Sequence, residues 1–198
     1  MHVIAHRINT IRDLKNLPRE FGVEVDVRDE GQNLILQHDP FKTGESFEEY
    51  LKNYCHGTMI VNVKSERIED RILELLHAYN IEDFFFLDSS FPMIMRLIQR
   101  GENRVALRYS EYESVESIMR LSGKVQWVWV DGFQKLTLTS KESDILREAG
   151  FRLCLVSPEL QGRDADIEMY QDKIKDQQLC LQAVCTKTHN IPRWQIKC

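Results

Sequence analysis

The feature that most constrains this chain is an alternation of short apolar runs with segments of helical period. Runs rich in β-branched and aromatic residues fall at His2–His6, Gly22–Val27, Met59–Val63, Phe84–Leu87, Val105–Arg108, Trp127–Val130, Leu153–Val156 and Leu181–Cys185. Between them the apolar spacing changes. Ile68, Ile72, Leu75, Leu76 and Tyr79 fall on one stripe of a helix. Ser90 and Pro92 open a second helix and Gly101 stops it, Ser140 and Gly150 bracket a third, and Asp164 to Gln178 forms another. Strands that alternate with helices point to a parallel sheet with helical crossovers. The spacing predicts one domain over residues 1–198, an α/β fold of compact (β/α)8 TIM-type barrel, small for that class and lacking a full eighth helix. An open doubly wound sheet is the competing arrangement, but no G-x-G-x-x-G follows the first strand and no phosphate-binding P-loop occurs. Asn33–Gln37 reads as an extra short strand, turned by Glu30–Gly31.

Charge narrows the function. The net charge of −5, with acids and bases mixed along the chain, gives no reason to expect a nucleic-acid partner or an anionic membrane. No apolar run approaches the roughly 18 residues that cross a bilayer, and MHVIAHR lacks the pattern of a signal peptide. The five cysteines, Cys55, Cys154, Cys180, Cys185 and Cys198, contain no C-x-x-C pair and read as free thiols of a cytoplasmic protein.

Polar residues inside apolar strands carry the functional signal. Glu24 and Asp26 alternate with Val23, Val25 and Val27, and Asn62 and Lys64 alternate with Val61 and Val63. Each set therefore shares one strand face. Two carboxylates on a buried face need a cation, either a metal or a partner such as Lys64. Glu-x-Asp presents two hard oxygen ligands suited to Mg2+ or Ca2+. His6 closes the first strand and His38 follows the extra strand, so a histidine pair is available for proton transfer at neutral pH. A divalent cation beside two histidines is a combination often used in phosphoryl transfer. Asp39 reads as a residue that holds its loop. Arg108, Glu159 and Lys187 end later strands and would face the barrel mouth as substrate contacts.

I-A-H-R at residues 4–7, E-V-D-V at 24–27, H-D at 38–39 and V-N-V-K at 61–64 resemble the glycerophosphodiester phosphodiesterase family, whose members fold as (β/α) barrels. That resemblance implies that His6 and His38 are the acid/base pair, that Glu24 and Asp26 ligate the metal, and that Arg7 and Lys64 contact the phosphate. It also marks departures. Ile8 stands where the family has glycine, the following loop is cut to little more than Asn9–Thr10, Asn62 replaces the third metal-ligating acid, and Thr186–Lys187 replaces Thr-Asp. An asparagine carbonyl still ligates Mg2+ or Ca2+, at the loss of one negative charge.

The sequence thus implies a metal-dependent phosphodiesterase acting on a small soluble glycerophosphodiester-like or sugar- or polyol-linked diester, without membrane insertion. The alternative is a catalytically degenerate barrel that binds a phosphorylated ligand or serves as an interaction module. Self-association beside the shortened eighth helix is a further expectation.

Overall fold

The computed structural model describes residues 1–195; Cys198, one of the cysteines read as free, lies outside the described residues. Cys55, Cys154, Cys180 and Cys185 are free thiols. No helix among the described residues is long and apolar enough to cross a membrane.

The chain divides into two compact units, Ile4–Leu97 and a second made of Met1–Val3 with the chain from Ile98 onward. The first contains the end of β1 (His2–Ala5), α1 (Ile11–Asn16), β2 (Gly22–Glu30), β3 (Asn33–Leu36), β4 (Glu45–Ser46), α2 (Phe47–Leu51), β5 (Met59–Val63), α3 (Glu69–Ala78), β6 (Phe84–Leu87) and most of α4 (Phe91–Gln99). Strand β2 organises this unit. Its first half pairs in parallel with β1 at Ile4↔Gly22 and Ala5↔Val23, and with β5 from Val23↔Met59 to Val27↔Val63. Its second half continues three residues beyond the expected end and turns at Gly31, whose φ of 61° lies where a side chain is disfavoured. The chain then returns as β3 in antiparallel register, Val27↔Leu36 to Glu30↔Asn33. Strand β6 adds in parallel to β5. Val23, Val25, Val27, Ile60, Val61, Phe85 and Phe86 are fully buried, as expected of strands covered on both faces.

In the second unit β7 (Ala106–Tyr109), β8 (Trp127–Val130), β9 (Arg152–Val156) and β10 (Ala183–Thr186) lie side by side in parallel, joined by α5 (Val115–Met119), α6 (Ser140–Glu148) and α7 (Ile167–Asp176). The start of β1 joins this unit through the His2 N–H, which donates to Gln182 O at 2.8 Å. A four-residue helix, α8 (Ile191–Trp194), follows β10. The expected strand–helix alternation is therefore present in both units, with an antiparallel β2–β3–β4 excursion in the first. Thr139, one residue before the expected start, is the N-cap of α6 and forms a reciprocal capping box with Glu142.

Candidate active site

The first unit collects the residues singled out on strands 1, 2 and 5. Glu24 and Asp26 alternate on one face of β2, and the β2–β5 register sets Asp26 opposite Asn62. Asn62 Nδ2 donates to Glu24 Oε1 at 2.8 Å, so the three side chains form one cluster. It is deeply buried: Glu24 is 1 %, Asp26 0 % and Asn62 8 % exposed. Two carboxylates with so little solvent require compensation.

Part of it comes from the turn after β1. Arg7 has a left-handed backbone, φ 55°, uncommon for a residue with a side chain. Its N–H donates to Glu24 Oε2 at 2.7 Å, and its Nε lies 3.7 Å from Asp26 Oδ2. His6 Nε2 lies 3.8 Å from Glu24 Oε2. Ile8, at the family's glycine position, is a core residue whose N–H reaches Glu24 O at 2.9 Å. Lys64 Nζ approaches Asp26 Oδ1 at 3.6 Å and Asp88 Oδ2 at 3.7 Å. Asp88 also has positive φ, 59°, directly after β6.

Asn9 is a site residue the sequence reading missed. Its Nδ2 donates to Asp26 Oδ2 at 2.8 Å while its Oδ1 accepts from the Asp26 N–H at 2.9 Å, a two-point clamp. The only signal was its place in a shortened loop next to a motif, which is common for asparagine anywhere.

The electrostatics divide the carboxylates. Burial, and secondarily the charge of Asp26, push the Glu24 carboxyl up to about 7, although Asn62, the Arg7 N–H and Lys64 all favour its ionised form. Asp39 goes the other way. The Lys42 hydrogen bond, then that of His38, hold its carboxyl down at about 2. Asp39 Oδ1 meets His38 Nδ1 at 2.8 Å and Oδ2 meets Lys42 Nζ at 2.7 Å, so Asp39 does hold its loop. Because an ionised carboxylate only accepts, His38 carries its proton on Nδ1, and Nε2 of the neutral ring is its basic nitrogen. Arg28 donates to His38 O at 3.0 Å, and the neighbouring Gln37 N–H donates to Asp26 O at 2.9 Å, which ties this loop to β2.

Two acceptors in the cluster stand out. Asp26 Oδ1 and Asn62 Oδ1 are buried with no hydrogen-bond partner among the described residues. Such oxygens are usually satisfied, so this pair fits a hard cation. Among the described residues no group of three or more His, Cys, Asp or Glu side chains is arranged to hold a metal.

Arg108, Glu159 and Lys187 belong to the second unit. Arg108 pairs with the buried Asp131. Glu159 is 2 % exposed; it accepts from Ser157, from Thr186 Oγ1 at 2.5 Å and from the Lys187 N–H at 3.0 Å. The Lys187 side chain is exposed.

No family model matches the chain, and no curated protein matches its sequence. Solved structures do match its fold. A glycerophosphodiester phosphodiesterase from Agrobacterium tumefaciens superposes with a TM-score of 0.64 at 12 % identity, over 93 % of this chain and 96 % of that one. A glycerophosphoryl diester phosphodiesterase from Parabacteroides distasonis gives 0.63 at 12 % identity, over 97 % and 85 %. At this identity the likeness is one of fold. The class it defines is that of proteins built like these phosphodiesterases.

Proposed function

We propose that the protein is a metal-dependent phosphodiesterase that cleaves a small soluble diester of the glycerophosphodiester type on a (β/α)8 barrel, in the cytoplasm. The observation that carries this reading is the buried Glu24–Asp26–Asn62 cluster with His6, Arg7 and Lys64 around it, in a fold like that of two phosphodiesterases.

Glu24, Asp26 and Asn62 would hold Mg2+ or Ca2+. A bound divalent cation neutralises phosphate oxygens and stabilises the charge they gain in the transition state. The remaining work belongs to the side chains. Arg7 and Lys64 bind and orient the phosphate; both already lie within 4 Å of Asp26, and a phosphate oxygen competes for the same positive charge. His38 and His6 move the protons. One takes the proton of the attacking oxygen, from water or a neighbouring substrate hydroxyl, and the other protonates the departing alkoxide. For His38 the atom is Nε2, since Asp39 fixes the Nδ1 proton. Asn9 keeps the Asp26 carboxylate in one orientation.

The test is a time course with bis-(p-nitrophenyl) phosphate and a panel of glycerophosphodiesters in Mg2+, Ca2+, Mn2+ or EDTA, for the wild type, His6→Ala and His38→Ala. The expected result is cation-dependent turnover that falls about 100-fold or more in each variant, the usual size of a general acid–base contribution. Absence of turnover in every metal, with folding intact, would replace this reading with that of a barrel that binds a phosphorylated ligand without cleaving it.

A further inference from the structure

The charges around the acid cluster nearly cancel. Glu24 and Asp26 supply at most two negative charges, Asn62 adds none, and Arg7 and Lys64 bring two positive charges within 4 Å of Asp26. Lys64 bears most directly on a bound cation. Its Nζ lies 3.6 Å from Asp26 Oδ1, the buried oxygen left without a hydrogen-bond partner and so the atom best suited to a hard cation. Like charges repel strongly where water is scarce, and the Asp26 side chain is 0 % exposed. An ammonium group resting on that oxygen therefore opposes a divalent cation there.

Lys64 has a second partner. Its Nζ lies 3.7 Å from Asp88 Oδ2, nearly the same distance as from Asp26. The fold arranges this sharing. β5 and β6 pair in parallel with Asn62 opposite Leu87, so Lys64 and Asp88 leave the ends of neighbouring strands. The Lys64 N–H donates to Val27 O at 2.9 Å, which holds its backbone against β2 and leaves the long side chain free to choose between the two carboxylates. Their surroundings differ. The Asp88 side chain is 36 % exposed, against 0 % for Asp26, so an ammonium group drawn toward Asp88 moves to better solvated ground.

We infer that Asp88 is a positioning residue for the cation site: it draws the Lys64 ammonium group off Asp26 Oδ1 and restores, from the neighbouring strand, the negative charge that Asn62 lacks. Asp88 acts through Lys64 and is not itself a ligand. Lys64 thus has two stations, one on Asp26 and one on Asp88, and a cation on Asp26 selects the second. The inference rests on the cation site of the phosphodiesterase reading and is independent of whether a diester is cleaved there.

Calorimetric titration of Mn2+ into the EDTA-stripped protein, without any substrate, tests this in the wild type, Asp88→Asn, Lys64→Met and the double variant. Asparagine matches aspartate in size and enters the left-handed region readily, so Asp88→Asn removes the charge and keeps the backbone at φ 59°. The expected result is a Kd about tenfold or more higher in Asp88→Asn, the usual size of an effect on a metal from a residue behind its ligands. Lys64→Met is expected to bind Mn2+ more tightly than the wild type, and in its background Asp88→Asn is expected to leave Kd nearly unchanged. Should Lys64→Met not fold, Lys64→Gln takes its place in the cycle. An unchanged Kd in Asp88→Asn would overturn the inference. So would equal weakening with and without Lys64, because Asp88 would then act on the cation directly. Wild-type protein that takes up no Mn2+, or no more than Asp26→Asn does, would refute the cation site and with it the role of Asp88. The expected pattern without turnover of any diester would sustain that role and remove only the catalytic reading.

Discussion

Glu24 is the residue whose burial has the clearest consequence. Its carboxyl rises from 4.5 to about 7 on folding, mainly through desolvation. Below pH 4.5 it is protonated in both folded and unfolded chains and contributes nothing to pH dependence. Between these values the unfolded chain ionises first, so stability falls as pH rises, and above 7 the whole loss, on the order of 3 kcal/mol, is in place. Glu24→Gln removes this titration. Thermal melts in EDTA at pH 5 and pH 8 should therefore show the variant gaining on the wild type at the higher pH, whatever its offset at the lower. A gap that stays constant would mean that Glu24 titrates normally. Asn9 belongs to this scale too, since its two bonds to Asp26 depend on a side chain that no motif marked.

At the scale of elements, caps and buried networks decide which pieces of chain stay in place. The α6 capping box joins Thr139 Oγ1 to the Glu142 N–H at 3.3 Å and Glu142 Oε2 to the Thr139 N–H at 2.9 Å. Thr139→Ala should cost about 1 kcal/mol, read as a lower urea midpoint at unchanged slope, and Thr139→Ser should recover most of it. A second network lies between the end of β9, the end of β10 and α8. Glu159 accepts from Ser157 and Thr186, and the Trp194 Nε1–H donates to Ser157 Oγ at 2.8 Å. Removing that carboxylate strands buried donors. Glu159→Ala should destabilise by about 3 kcal/mol, visible in denaturant titration without any substrate present. A neutral result would argue that these donors find other partners.

At the scale of the whole molecule, the proposed cation couples the site to global stability. Anything that binds the folded chain alone stabilises it by mass action, about 3 kcal/mol at a hundred times its dissociation constant. For a chain of this length that should raise Tm by roughly 6–11 °C. Saturating Mg2+ or Ca2+ should produce the rise, EDTA should reverse it, and Asp26→Asn should blunt it. An identical response from wild type and Asp26→Asn would place any bound ion elsewhere.

Local pattern was enough for much of this. Three strands, Met59–Val63, Phe84–Leu87 and Trp127–Val130, have the bounds expected from their apolar runs, and the Glu24/Asp26 face was legible from alternation alone. These features depend on neighbouring residues, whose side-chain period of 2 or 3.6 is printed in the order of the chain. The Asn9 clamp, the approach of Lys64 to Asp88 and the Glu159 network were not legible. Each joins residues far apart in sequence through a specific bond or shape, and nothing local distinguishes an asparagine or glutamate that will find such a partner from one that will face water. The sequence by itself determined the alternating α/β plan and which side chains were expensive to bury; only the tertiary structure decided what meets them, because desolvation is a property of the residue and compensation a property of its neighbours in space.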